Sequence, residues 1–371
     1  MNAHILIEQL KQQGLYRQRE CFTDIADSHN FCSNDYLSLR NDPRIKEAYK
    51  RGFEHYPAGS GASMAVCGYH PIHKQLEKAF AERLGVDDAL VFSSGYAANL
   101  AIASLLGRLD YHILIDKDIH ASIYDGIQLS RVRYSRFLHT DLNDLARKLK
   151  TVTGQYTVIT ESIFSMSGRK ADLKRIVEMS PSCIVDEAHS FGIMGKNGMG
   201  GVLEAGLTQD DIPLRIITFG KALGFQGALV AGRAEWIDAL FQCARSLIYS
   251  TAFSPALAYA LLECLTVVYD AHEKREKLFN LIAYFRQKIV NTDMIWSNSQ
   301  TQIQQLRLGC PYKAVKFSEA LKAQGISCRA MREPTVSRKS TGLRIVLNAH
   351  HEPEHIDNLL WHLEAIYESV H

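Results

Sequence analysis

The sequence predicts an α/β protein: a large, mainly parallel sheet covered by helices, followed by a smaller α+β unit towards the C-terminus. Two observations carry this. Short apolar runs alternate with helical-length segments through the first two-thirds of the chain, which is how parallel strands buried on both faces read. Beyond about residue 245 the alternation gives way to a long helical stretch and then a few strands and helices. The composition suits such a core, with 371 residues, 46% hydrophobic and 22% charged.

Residues 1–35 read as an arm that packs on the rest, 36–245 as the large unit, and 246–371 as a connecting helix with the small unit. Asp42-Pro43 pairs a capping residue with an N1 proline and starts a helix. Leu76, Phe80 and Leu84 recur every four residues before Gly85 stops a second one. Strands are predicted at Ala89–Phe92, His112–Ile115, Tyr156–Thr160, Cys183–Val185, Ile216–Phe219 and Ala228–Ala231, each bounded by Gly, Asp or Ser or separated by a helical segment. A helical stretch from Pro255 to about Val290 leads to strands at Gln302–Leu308, Ile326–Met331 and Leu343–Leu347, with a helix near Tyr312–Gln324. Ile356, Leu359, Leu360, Leu363 and Ile366 share one face of the last helix behind Glu352-Pro353.

Charge and cysteine usage narrow the function classes. Lys and Arg number 42 against 40 Asp and Glu, a formal charge of +2 with no basic concentration, so no nucleic-acid partner is expected. The eight cysteines are scattered without a CxxC pair and no leader is recognisable, which reads as free thiols in a reducing cytoplasm. Ser246–Leu262 is uncharged, but Pro255 interrupts it and Glu263 closes it below membrane-spanning length; it reads as a buried segment. His70 with His73, and His350 with His351, lack a convergent third ligand, so no metal is assigned. Gly59-Ser60-Gly61 lacks the third glycine of a dinucleotide fingerprint, and Gly220-Lys221 lacks the rest of a P-loop.

The informative residues lie at predicted strand ends. Asp186 follows an apolar strand, with His189 three residues on, and Thr218 and Lys221 end another strand. In open α/β sheets ligands sit outside the carboxyl ends of strands, so acid, imidazole and amine can converge there. Taken singly, Lys221 would be a solvated lysine and Asp186 a salt-bridged acid. Phe92-Ser93-Ser94-Gly95-Tyr96 turns from a strand into a helix, where Ser can cap and backbone N–H groups can face an anion. His120 follows a further strand.

This combination resembles the α-oxoamine synthases among the fold-type I pyridoxal-phosphate enzymes. The resemblance runs from about Leu15 to the last helix and includes Asn30-Phe31-Cys32-Ser33-Asn34-Asp35-Tyr36-Leu37, Gly59-Ser60-Gly61, Gly68-Tyr69 and Ala244-Arg245-Ser246-Leu247-Ile248-Tyr249-Ser250-Thr251. It implies pyridoxal 5'-phosphate as cofactor, Lys221 as its Schiff-base lysine, Asp186 on the pyridine nitrogen and His189 near the phenolic oxygen. It further implies His120 stacked on the ring, Ser165 in Phe164-Ser165-Met166-Ser167-Gly168 touching the cofactor, and Gly95, Tyr96 and Thr218 on the phosphate. Thr251 would reach the phosphate of a neighbouring subunit, so a homodimer with shared sites is implied.

The activity implied is a decarboxylative condensation of L-alanine with a pimeloyl thioester, carried on coenzyme A or on acyl carrier protein, in biotin synthesis. Lys221 would be the general base. Arg332 in Arg332-Glu333-Pro334-Thr335-Val336 would anchor the alanine carboxylate by paired hydrogen bonds, Thr335 would contact substrate, and Arg17 would reach the acyl chain. His120 would also face the substrate. Arg344 reads as sheet-edge structure. Four positions depart from the family pattern: Ala62, Met64, Ser167 and Glu333. Two other readings remain, an α-oxoamine synthase with a different amino acid or acyl chain, and an idle binding or scaffold protein on the same fold.

Overall fold

The structure is a computed structural model that describes residues 2–19, 21, 29–180, 182–333 and 335–369. It divides into two units. The larger comprises Leu37–Phe164 and Lys170–Arg275. Its strands are β1 (Asp88–Phe92), β2 (His112–Asp116), β3 (Arg133–Phe137), β4 (Tyr156–Glu161), β5 (Cys183–Asp186), β6 (Leu214–Thr218) and β7 (Ala228–Gly232). They form one seven-stranded sheet in the order β1-β7-β6-β5-β4-β2-β3. β7 runs antiparallel to both neighbours and every other pair is parallel.

The apolar runs land in this sheet as expected, and one strand escapes the pattern. β3 reads Arg-Tyr-Ser-Arg-Phe, lies at the sheet edge and buries only Phe137. An edge strand faces water and carries no apolar run to find. The helices Gly95–Arg108 and Ala121–Ser130 pack closely, since a Cβ on Gly126 would lie 2.8 Å from that of Ala103. Met64, one of the four departures, is buried in the core cluster with Leu90 and Phe92.

The parallel strands deliver Asp116, Glu161, Asp186 and Thr218 as their last residues. Glu161 pairs in register with Asp186, so these carboxylates stand side by side at one edge of the sheet. Behind Asp186 lies an ion pair that sequence reading did not detect. Glu187 and Arg215 are buried to 0% and 1% exposure and bond to each other. Glu187 also accepts the Val202 N–H at 2.9 Å, and Arg215 donates to the Met199 carbonyl at 2.8 Å.

The smaller unit comprises Met1–Tyr36, Ser165–Arg169 and Glu276–His371. β8 (Ile303–Arg307), β9 (Arg329–Met331) and β10 (Gly342–Val346) form an antiparallel sheet in the order β8-β10-β9. The end of the expected arm is stitched into this unit: Phe31 N–H donates to Ser327 O, and Val346 N–H to Phe31 O, both at 2.9 Å. The last helix, Pro353–Glu368, buries Ile356, Leu359, Leu360 and Leu363 as its periodicity demands.

The units divide at Arg275/Glu276, whereas the sequence pattern suggested 245, and the arm is grouped with the C-terminal residues. The helix expected over Pro255–Val290 is two helices, Pro255–Tyr269 and His272–Ile289. Arg275 secures the break by donating to the carbonyls of Val268 (2.6 Å) and Tyr269 (2.9 Å), orphan acceptors at a helix end. The first of these helices packs on Pro43–His55 and Pro71–Leu84, which keeps it with the larger unit. The uncharged Ser246–Leu262 stretch is buried only in part: Tyr249, Ser250 and Thr251 are exposed. No described helix is long and apolar enough to cross a membrane, and all eight cysteines are free thiols.

Candidate active site

Three short connections at the carboxyl edge of the larger sheet bring the predicted residues together. The first joins β1 to the helix Gly95–Arg108. Ser94 caps that helix, its hydroxyl accepting the Ala97 N–H at 3.1 Å. A Cβ at Gly95 would lie 2.5 Å from Thr218 Cγ2, so only glycine allows the helix start to approach the end of β6. Thr218 Oγ1 is buried with no hydrogen-bond partner among the described residues. An unpaired buried hydroxyl beside a capped helix N-terminus is a seat for an anionic oxygen. Tyr96 is exposed and its hydroxyl donates to Asp125 at 2.6 Å.

The second connection follows β5. Asp186 is 5% exposed, and its carboxylate accepts the Ala188 N–H at 2.9 Å and Asn99 Nδ2 at 3.1 Å. His189 is buried three residues on. The third connection carries Lys221 in a tight return between β6 and β7, where Phe225 N–H reaches Phe219 O at 2.8 Å and Gly224 N–H reaches Lys221 O at 2.9 Å. Gly224 and Gly227 have φ of +72° and +106°, which L side chains rarely adopt.

His120 caps the helix Ala121–Ser130, and its N–H donates to Glu161 at 2.7 Å. Burial lowers its pKa; the Asp186 carboxylate acts in the opposite sense, and the Lys221 ammonium adds to the lowering. His120 is at the same time exposed to solvent. His120, Asp186 and Lys221 are thus within one electrostatic neighbourhood. Asn99 and Ser122, which sequence reading missed, join them: Asn99 Nδ2 bonds both Asp186 and, at 2.9 Å, Ser122 Oγ. The signal was a polar residue one turn after Gly95 in an Ala- and Leu-rich helix.

Thr251 lies on the exposed surface of this unit, carried by a strap whose neighbours are fixed. Ser60 Oγ and His73 Nε2 bond the Phe253 carbonyl, His73 at 2.7 Å, and Ala252 N–H reaches Ala62 O at 2.9 Å.

The smaller unit assembles the other predicted residues. Arg17 Nη2 donates to Thr335 Oγ1 at 2.9 Å, and Arg332 Nη2 to the Tyr16 carbonyl at 2.6 Å. Arg332 Nε is buried without a partner, and no ion pair links Arg332 to Glu333 among the described residues. Burial, then the Arg17 and Arg329 charges, pull Arg332 below the usual guanidinium value, though it stays protonated. Ser165 belongs to this unit. Its carbonyl accepts Arg344 Nε at 2.6 Å, while Arg344 Nη1 reaches Asn34 Oδ1 at 3.0 Å. Arg344 is 7% exposed in the central strand, which corrects the sheet-edge expectation. Ser167 accepts the Arg169 N–H at 3.3 Å, closing the turn locally.

The orphan Thr218 hydroxyl, the Gly95 approach and the buried, hydrogen-bonded Asp186 suit a phosphorylated, protonatable aromatic cofactor. Known proteins resemble the chain as a whole in sequence and shape. The 8-amino-7-oxononanoate synthase of Pseudomonas savastanoi pv. phaseolicola is 39% identical over 371 residues, covering 96% of this chain and 93% of its own. That of Pseudomonas entomophila is 42% identical over 346 residues, covering 92% and 88%. A solved 8-amino-7-oxononanoate synthase from Francisella tularensis has a TM-score of 0.83 at 31% identity over 92% of this chain and 98% of its own. A serine palmitoyltransferase from S. paucimobilis with a bound PLP–myriocin aldimine reaches a TM-score of 0.91 at 26% identity, over 99% and 97%. With residues 26–363 matching its pattern, this chain belongs to the family described as aminotransferase class I and II.

Proposed function

We propose that the chain condenses L-alanine with a pimeloyl thioester, releasing CO2 and the free thiol carrier and forming 8-amino-7-oxononanoate. The observation that supports it most is the joining of Asp186, His120 and Lys221 in one neighbourhood in a chain 39–42% identical to synthases of that product. The same intact set argues against an idle scaffold.

Pyridoxal 5'-phosphate, when bound, supplies an electron sink for negative charge at the substrate Cα. Gly95, the Tyr96 backbone and Thr218 hold its phosphate, Ser165 and His189 contact it, and Asp186 keeps the ring nitrogen protonated. Lys221 supplies the amine that attaches it and, once free, takes the Cα proton as general base. His120 lies against the ring and the substrate. Thr251 completes a second subunit's phosphate site in a homodimer. Tyr249, two residues before Thr251 and 71% exposed, favours this, because an exposed large apolar group suits a contact surface.

Arg332 takes the alanine carboxylate, Thr335 contacts substrate and Arg17 pairs with the distal carboxylate of the pimeloyl chain. The cluster of Arg17, Arg329 and Arg332 charges supports an anion there, since like charges gathered without one repel. Arg344 offers a second reading for the alanine carboxylate, because it is buried, and a guanidinium that is held rigidly is prepared for a bidentate partner. A different acyl chain, as in the serine palmitoyltransferase, is the alternative activity. Borohydride reduction of the loaded protein followed by peptide mapping tests the site. A phosphopyridoxyl group on Lys221 is expected, and its appearance on another lysine would refute the assignment.

A further inference from the structure

The hydrogen bonds around His120 determine which ring nitrogen carries its proton. Ser122 N–H donates to Nδ1 at 3.3 Å, so Nδ1 is an acceptor. Ser122 Oγ is also 2.7 Å from Nδ1. That hydroxyl also accepts a hydrogen from Asn99 Nδ2 at 2.9 Å, and because Nδ1 already faces the backbone N–H as an acceptor, the hydroxyl is the donor to it. Asn99 cannot be turned end for end, because the same Nδ2 donates to the Asp186 carboxylate at 3.1 Å, and an amide oxygen there would meet a charged acceptor. Every link of the chain Asp186–Asn99–Ser122–His120 therefore has one direction, and it begins at the Asp186 side chain. Asn99 and Ser122 are 2% and 0% exposed, so water does not compete for these bonds.

We propose that Asn99 and Ser122 are positioning residues that hold His120 as the neutral Nε2–H tautomer, making His120 a hydrogen-bond donor and leaving proton abstraction to Lys221. Burial disfavours the imidazolium in the same sense. Resting on the proposed reaction, the role of that donor follows. When the alanine Cα attacks the thioester carbon, a C–C bond forms and the carbonyl oxygen gains negative charge. Nε2–H donates to that oxygen and keeps its proton. The C–S bond then breaks with its electron pair leaving on sulfur. A donor aimed at developing charge acts in the transition state more than in the ground state, so its loss falls on kcat.

Histidine 15N NMR of the holoenzyme reads the tautomer directly, with His120 assigned by the resonances lost in His120→Asn. Nδ1 should appear unprotonated and Nε2 protonated near pH 8. Ser122→Ala should shift part of the population to Nδ1–H and lower kcat by about tenfold, a small share of what a wrong histidine tautomer costs elsewhere. The KM for alanine and the cofactor absorbance should hold, and Ser122→Thr should restore both tautomer and rate. An Nδ1–H or imidazolium form in the unmutated protein would overturn the inference, and so would an unchanged tautomer in Ser122→Ala. The NMR result does not depend on turnover. The expected tautomer in a protein that makes no product from alanine would therefore count against the reaction and not against this geometry.

Discussion

Asp186 shows how much of its chemistry a residue owes to neighbours that sequence spacing does not name. Its position after an apolar strand, with His189 and Lys221 downstream, is legible in the sequence. Its oxygens are held by the Ala188 N–H and by Asn99, and Asn99 lies 87 positions away. Ser122 was likewise invisible, since a serine two residues after His120 reads as a helix-start residue. Asp186→Asn should keep the phosphate contacts while losing the charge that holds the ring nitrogen protonated. Turnover should drop by about 100-fold or more, with cofactor content by absorbance staying near that of the unmutated protein. Turnover as in the unmutated protein would remove Asp186 from that role.

At the scale of elements, a buried ion pair ties the end of β5 to the start of β6. Glu187 follows Asp186 directly, so its pairing with Arg215 fixes the backbone that presents the acid. Arg215→Met would leave the Glu187 charge buried and uncompensated, costing about 3–5 kcal/mol; urea unfolding should show that loss. In the smaller unit His351 is fully buried and stacked on Phe31 with ring centroids 4.2 Å apart. Burial, then the neighbouring His355 and His350, push its pKa down to about 3. A histidine whose folded pKa lies below its unfolded value of about 6.5 contributes stability above that pH and loses it on acidification. The unfolding free energy from urea titration should therefore fall between pH 7 and pH 5, by about 1 kcal/mol per pH unit or less, and less steeply in His351→Gln. The strands and helices with strong periodicity were legible beforehand. The edge strand β3 and the break at Asp270-Ala271 were not, because one faces water and the other is set by the Arg275 side chain folding back onto the carbonyls of the helix end before it.

For the molecule as a whole, the pattern of the chain predicted a large α/β unit and a smaller α+β one, while the partition followed packing. Residues 246–275 belong with the larger unit because Pro255–Tyr269 packs on its helices, a relation no local pattern records. The exposed Thr251 strap argues for an assembly in which a second copy uses that residue, so cofactor retention should fall on dilution below the dimer dissociation constant, and Thr251→Ala should lower retention without dissociating the dimer. Full occupancy in a monomer would refute this. The central claim is the reaction itself, and product analysis tests it most directly: purified protein with L-alanine and either pimeloyl thioester or an uncharged acyl thioester of similar length. The account predicts 8-amino-7-oxononanoate with one CO2 per product, a preference for the pimeloyl donor, and loss of that preference in Arg17→Ala. A preference for the uncharged chain, or for another amino acid over alanine, would contradict it.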